Sequence, residues 1–125
     1  MLDPQARLSL LIFAFTVASG VFDALGLTYA AQVWHGNRLN GVLAAKSAGS
    51  FMAGITMYWG AVRFLSEAGI VTAEIQALLW LSVTIAGVAV MGGRFLSWPL
   101  LDQIVAINLL ASLGWLIWRT GATPA

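Results

Sequence analysis

Few side chains in this sequence can do chemistry, and their placement is unusual. Asp23 stands inside ASGVFDALG, Lys46 inside AAKSAG and Asp102 inside LLDQI, each surrounded by apolar residues. Trp80 and Tyr29 are aromatic residues within similar runs, Glu74 stands near the start of another, and His35 is the one histidine. A carboxylate in hydrocarbon costs about 2.5–3.5 kcal/mol on insertion scales. It is retained where protein shelters it or where it binds a proton or a cation. Asp23 has no basic residue three or four positions away on its own helix. Thr16, Ser19, Gly20, Asp23, Gly26 and Ala30 recur at helical spacing, so the carboxyl is expected to face other helices rather than lipid. A lone sheltered carboxyl that takes a proton or a cation, but not both, supplies the minimal chemistry of proton-coupled exchange. Trp80, well inside its apolar run, is expected either to pack between helices or to wall such a site. Lys46 and Asp102 each enter their helix by about 10 Å from the same side. Pairing would remove most of the cost of burying either one, and they are expected to form a structural charge pair.

Other chemistries find no support. There is no cysteine, so thiolate catalysis, disulfides and thiolate metal sites are excluded. One histidine with no neighbouring cluster makes no metal site. No Ser–His–Asp or Cys–His set can converge, so the chain is not expected to be an enzyme, and no cofactor is implied. A net charge of +1 gives no electrostatic case for nucleic acid.

The elements that carry these residues are greasy. Of 125 residues, 60% are hydrophobic and 9% charged, with a mean hydropathy of +0.88. A soluble domain is about one-quarter charged. This chain cannot cover itself in water and belongs in a bilayer. About 20 mostly apolar residues make a helical span, and four segments qualify: roughly 8–34, 39–65, 70–93 and 95–118. The first follows Arg7 in the manner of a signal peptide, but it continues beyond residue 26, longer than such a core needs, and is expected to be retained as a span. HGNR, SEAG and GGR separate the segments with turn chemistry. Short turns force antiparallel neighbours, so the expected fold is all-α. It is an integral membrane four-helix bundle of up-down spans, a single transmembrane domain over residues 1–125. Trp34, Trp59, Trp98, Trp115 and Trp118 fall near span ends, where amphipathic rings prefer to lie. Arginines and the lysine divide almost evenly between the two sides, so the positive-inside rule gives little orientation.

The sequence resembles the small multidrug resistance transporters, four-helix members of the drug/metabolite transporter superfamily. The likeness rests on a single acid midway along the first span, Asp23 where that family typically uses Glu. It also rests on the third span GIVTAEIQALLWLSVTIAGVA with its inward Trp80, and on a short fourth helix reached through a Trp-Pro step. Lys46, Glu74 and Asp102 are charges outside that family's pattern. The resemblance implies a proton-coupled transporter for a small cationic or amphipathic solute. It would work as a homodimer, with an antiparallel pair suiting the even charge balance, with Asp23 as the shared proton and substrate site and with Trp80 and Tyr29 as walls of its cavity. The format suggests the bacterial cytoplasmic (inner) membrane. Residues 40–55, NGVLAAKSAGSFMAGI, are also similar to the second helix of the small fluoride channels, with Lys46 where those carry Asn. A small ion channel is therefore a lesser alternative. The main one is a non-catalytic accessory subunit, its polar stripe docking on the helices of a larger membrane complex.

Overall fold

A computed structural model describes residues 3–121. The chain is helical, with helices α1 (Pro4–Ala30), α2 (Gly41–Glu67), α3 (Ala73–Met91) and α4 (Leu100–Gly121). Pro4 opens α1, where a missing N–H costs nothing, and this starts the helix four residues before the expected span. Asn40 caps α2, its side chain accepting from the Leu43 N–H at 3.2 Å. Gly93, with φ of +63°, takes the left-handed conformation that ends the α3 region. Trp98 is extended ahead of Pro99, and a short 3₁₀ turn, Phe95–Ser97, leads into α4.

Between α1 and α2 the expected turn takes the form of a small β-hairpin within an all-helical fold. Strands β1 (Trp34–His35) and β2 (Arg38–Leu39) pair antiparallel, with Trp34 opposite Leu39 and His35 opposite Arg38. The connection is Gly36-Asn37. Gly36 has φ of +58° and Asn37 has no positive φ, as a tight turn with glycine first requires.

α1 and α2 form the best-packed pair and run antiparallel. Phe15 lies beside Gly60 and Phe64, and Phe51 covers Gly26. α3 joins α1 through its own small residues: Val83 fills the space above Gly20, and Ala24 meets Gly87. These contacts advance in step along both helices, so α1 and α3 run in the same direction. α4 packs chiefly on α3 and buries little. Its outer groove of about 450 Å³ is lined by Asn108, Ala111, Ser112, Trp115 and Leu116.

Three of the four helices are long and apolar enough to cross a membrane: α1, α3 and α4 over Leu100–Arg119. α2 has the length, 27 residues, but carries Lys46, Ser47, Ser50, Thr56 and several glycines along it. The outward surface is apolar elsewhere: Phe13, Met52, Trp59, Val90 and Leu101 are all more than half exposed. A surface of this kind is suited to lipid, because large apolar patches are not kept against water.

Candidate functional site

The α1–α2 seam repeats one pattern twice. Ser19, Asp23 and Gly26 on α1 have the same spacing as Ser47, Phe51 and Gly54 on α2. Because the helices are antiparallel, the two sets face each other about a local two-fold axis. Ser19 Oγ donates to the Gly54 carbonyl at 2.9 Å, and Ser47 Oγ donates to the Gly26 carbonyl at 2.9 Å. Asp23 lies against Gly54 as Phe51 lies against Gly26. Each glycine is needed for close approach: a methyl group at position 54 would collide with Asp23 Oδ1, and one at position 26 would crowd the Phe51 ring. Asp23 therefore holds on α1 the place that Phe51 holds on α2, packed tightly on the facing glycine.

Trp80 completes the seat. Its indole N–H donates to Asp23 Oδ2 at 2.6 Å, from α3 into the α1–α2 seam. Tyr58 closes the other side of the indole edge-to-face, with ring centroids 6.3 Å apart. Ser19 Oγ is 3.5 Å from the same Oδ2. A hydroxyl has one proton, and the shorter bond to the Gly54 carbonyl claims it. Trp80 is thus the firm donor to the carboxylate. The lone pairs of Ser19 Oγ remain able to accept from a protonated Asp23. The carboxyl is 5% exposed. Among the described residues its neighbours in this site are neutral, and the ion pair present, Arg63–Glu67, lies on the surface of α2.

Two more hydroxyls belong to the same faces. Thr16 lies two turns from Asp23 on α1, and Thr84 lies one turn from Trp80 on α3. Both are buried, and their Oγ1 atoms have no hydrogen-bond partner.

The structure brings Asp23 and Trp80 together but leaves Tyr29 apart. Tyr29 is half-buried in the last turn of α1, about 9 Å along the helix from Asp23 by helical rise. Its ring faces the Lys46 ammonium, 5.8 Å from the centroid. The expected Lys46–Asp102 pair is not formed. Both residues are exposed and share no ion pair. Equal depth was the basis for pairing them, but α4 packs on α3 rather than on α2, so depth alone does not bring them together. Glu74 is exposed in the first turn of α3, where the helix dipole favours a carboxylate. Gln76, Ser82, Gln103 and Asn108 bond locally: Gln76 to the Ile70 carbonyl, Ser82 and Asn108 to carbonyls one turn back, Gln103 to the Leu96 and Trp98 carbonyls. Among the described residues, the hydroxyls that bond between helices are Ser19 and Ser47. Ser47, Gly54 and Tyr58 have a part in the site that the sequence reading did not assign. The repeated spacing of serine and glycine seven residues apart was the signal for the first two.

Compared with family models, with curated proteins and with solved structures, the chain gives no match.

Proposed function

We propose that this chain is a proton-coupled membrane carrier for a small cationic or amphipathic solute. In this reading α2 crosses the bilayer beside α1 as a fourth span, and two copies form the working unit. The observation that carries the proposal is the setting of Asp23: buried to 5% exposure, bonded by the neutral Trp80 indole, with no cation at hand. A carboxyl fixed by a permanent salt bridge cannot cycle. This one has a partner for each of its forms, Trp80 when ionised and Ser19 as an acceptor when protonated. A cationic solute replacing the proton would meet the carboxylate and the π faces of Trp80 and Tyr58. Four helices of this length enclose little volume, so a solute cavity requires a second copy, and alternating access about a midplane site follows from an inverted pair. The resemblance to the small multidrug resistance transporters agrees with this assignment, and the bacterial cytoplasmic membrane is the corresponding location.

The test is proton flux in reconstituted vesicles under a solute gradient, for the wild type and Asp23→Asn. The amide still accepts from Trp80, so the fold is expected to survive while solute-driven proton movement is lost. Proton-linked flux unchanged by the substitution would overturn the assignment.

A second reading, an accessory subunit, is favoured by the uncovered outer groove of α4 with Asn108 and Ser112. A constitutive protein partner of the full chain, retained through purification and lost on substitution in that groove, would select it. A solitary, stable dimer would exclude it.

A further inference from the structure

The two ends of the molecule differ in charge once carboxylates are counted with cations. The end that holds the start of α1, the α2–α3 turn and the end of α4 carries Arg7, Arg63 and Arg119 against Asp3, Glu67 and Glu74, so it is balanced. The opposite end carries Arg38, Lys46 and Arg94 against Asp102 alone, a net charge of +2, with His35 beside them. Asp23, between the ends, accounts for the remainder of the formal +1. Among the described residues, none of Arg38, Lys46 and Arg94 forms an ion pair with a carboxylate. Lys46 projects along α2 until its ammonium stands over Tyr29 in the last turn of α1, at the level where the helices end.

The β-hairpin at this end has two chemically distinct faces. Residues opposite each other in an antiparallel ladder share a face, and successive residues point to opposite faces. Trp34 and Leu39 therefore form one face, 64% and 57% exposed, and His35 and Arg38 form the other. The α3–α4 connection repeats the arrangement. Arg94 precedes Leu96, 84% exposed, and Trp98, 45% exposed, with Phe95 packed on the Trp98 ring. Exposed apolar tips and unpaired cations alternate at the level where the membrane-spanning helices end.

We propose that this end is a binding surface for anionic lipid headgroups. The Trp34–Leu39 face and the Leu96–Trp98 tip are seated at the boundary of the acyl chains. Arg38 and Arg94 lie at the depth of the phosphates, and Lys46, about a turn and a half into α2, extends its ammonium toward them from the level of the last turn of α1. Aromatic rings favour that depth, and each cation near an anionic leaflet is worth roughly a fivefold factor in partitioning. The balanced end has no such preference. This assignment goes beyond the carrier reading and holds whether or not Asp23 moves protons.

The experiment uses the full chain in phosphatidylcholine vesicles with traces of spin-labelled phosphatidylglycerol or spin-labelled phosphatidylcholine. The fraction of label immobilised by the protein is the readout. The wild type is expected to hold phosphatidylglycerol several-fold better than phosphatidylcholine. The triple variant Arg38→Gln, Lys46→Gln, Arg94→Gln should hold the two lipids equally. Arg7→Gln with Arg63→Gln, at the balanced end, should keep the wild-type ratio. All three replaced side chains are exposed, and helical circular dichroism checks that the variants fold. The absence of native cysteine allows a second measurement, with a nitroxide placed at Leu39→Cys or at Arg38→Cys. The label at 39 should collide with oxygen dissolved in the lipid, and the label at 38 with a water-soluble relaxing agent. Equal retention of both lipids by the wild type, loss of preference in the Arg7/Arg63 variant, or the same accessibility at 38 and 39 would overturn the proposal.

Discussion

Trp80 and Asp23, 57 residues apart in sequence, share a hydrogen bond of 2.6 Å that fastens α3 to the α1–α2 seam. It is a bond from a neutral donor to a buried carboxyl, and such bonds to charged acceptors are worth roughly 1.5–3 kcal/mol. Trp80→Phe keeps the ring and deletes the donor. The expected result is a loss of about 1–3 kcal/mol in stability, because the acceptor stays buried while its partner is gone. Reversible unfolding in mixed micelles measures this. Combining Trp80→Phe with Asp23→Asn should cost less than the two single changes added, by an interaction energy of about 0.5–3 kcal/mol.

Gly54→Ala should be among the more damaging single-methyl changes in α2. The new methyl group meets Asp23 Oδ1 and forces the carboxyl out of its seat. Overpacking of this kind costs about 1–3 kcal/mol. Gly49→Ala on the same helix meets nothing within 4 Å and is expected to be neutral or stabilising. Thermal unfolding of the two variants side by side separates the steric effect from helix propensity, which favours alanine at both positions.

Ser19→Ala and Ser47→Ala each delete one hydroxyl bond across the seam. Interhelical bonds within membranes average about 0.6 kcal/mol and reach about 1.7 kcal/mol. Ser19→Ala should lie toward the upper end, since Ser19 also touches Asp23. The same unfolding assay reads both, and Ser66→Ala, an exposed hydroxyl bonded to its own helix, serves as the control with no measurable effect.

Lys46→Gln and Asp102→Asn should behave as independent changes. The two residues are exposed and unpaired with each other. Their effects on stability should add within about 0.3–0.5 kcal/mol in a double-mutant cycle. A larger coupling would show that they meet, as equal depth first led us to expect.

Much of the architecture was legible in the residues themselves. Apolar runs broken by HGNR, SEAG and GGR place four helices, and the structure has them within a few residues of those limits. The stripe of Thr16, Ser19, Gly20, Asp23 and Gly26 is buried as its spacing implied, while Ala30, the last member, is exposed at the helix end. Trp80 faces inward as read. Helical rise gives the depth of Lys46 and Tyr29 but not which neighbour each helix chooses, and α4 chose α3. For Asp102 the depth differs as well: α4 begins at Leu100, so this carboxylate lies in its first turn, shallower than the spacing implied. Ser47 and Gly54 have no part in the site as read from the sequence. Their meaning lies in matching the spacing on a second helix, which a scan of one helix at a time does not reveal.

The twin serine–glycine straps also constrain how this molecule can move. Each helix lends a hydroxyl to the backbone of the other, in opposite directions along the seam. A slip of one turn either way would strip both donors of their acceptors and push Asp23 and Phe51 together onto bulkier neighbours. The first two helices therefore travel as one rigid plank. Any rearrangement with functional consequence must be hinged beyond residue 67, in the tilt of α3 about its indole tether or in the swing of the lightly held last helix.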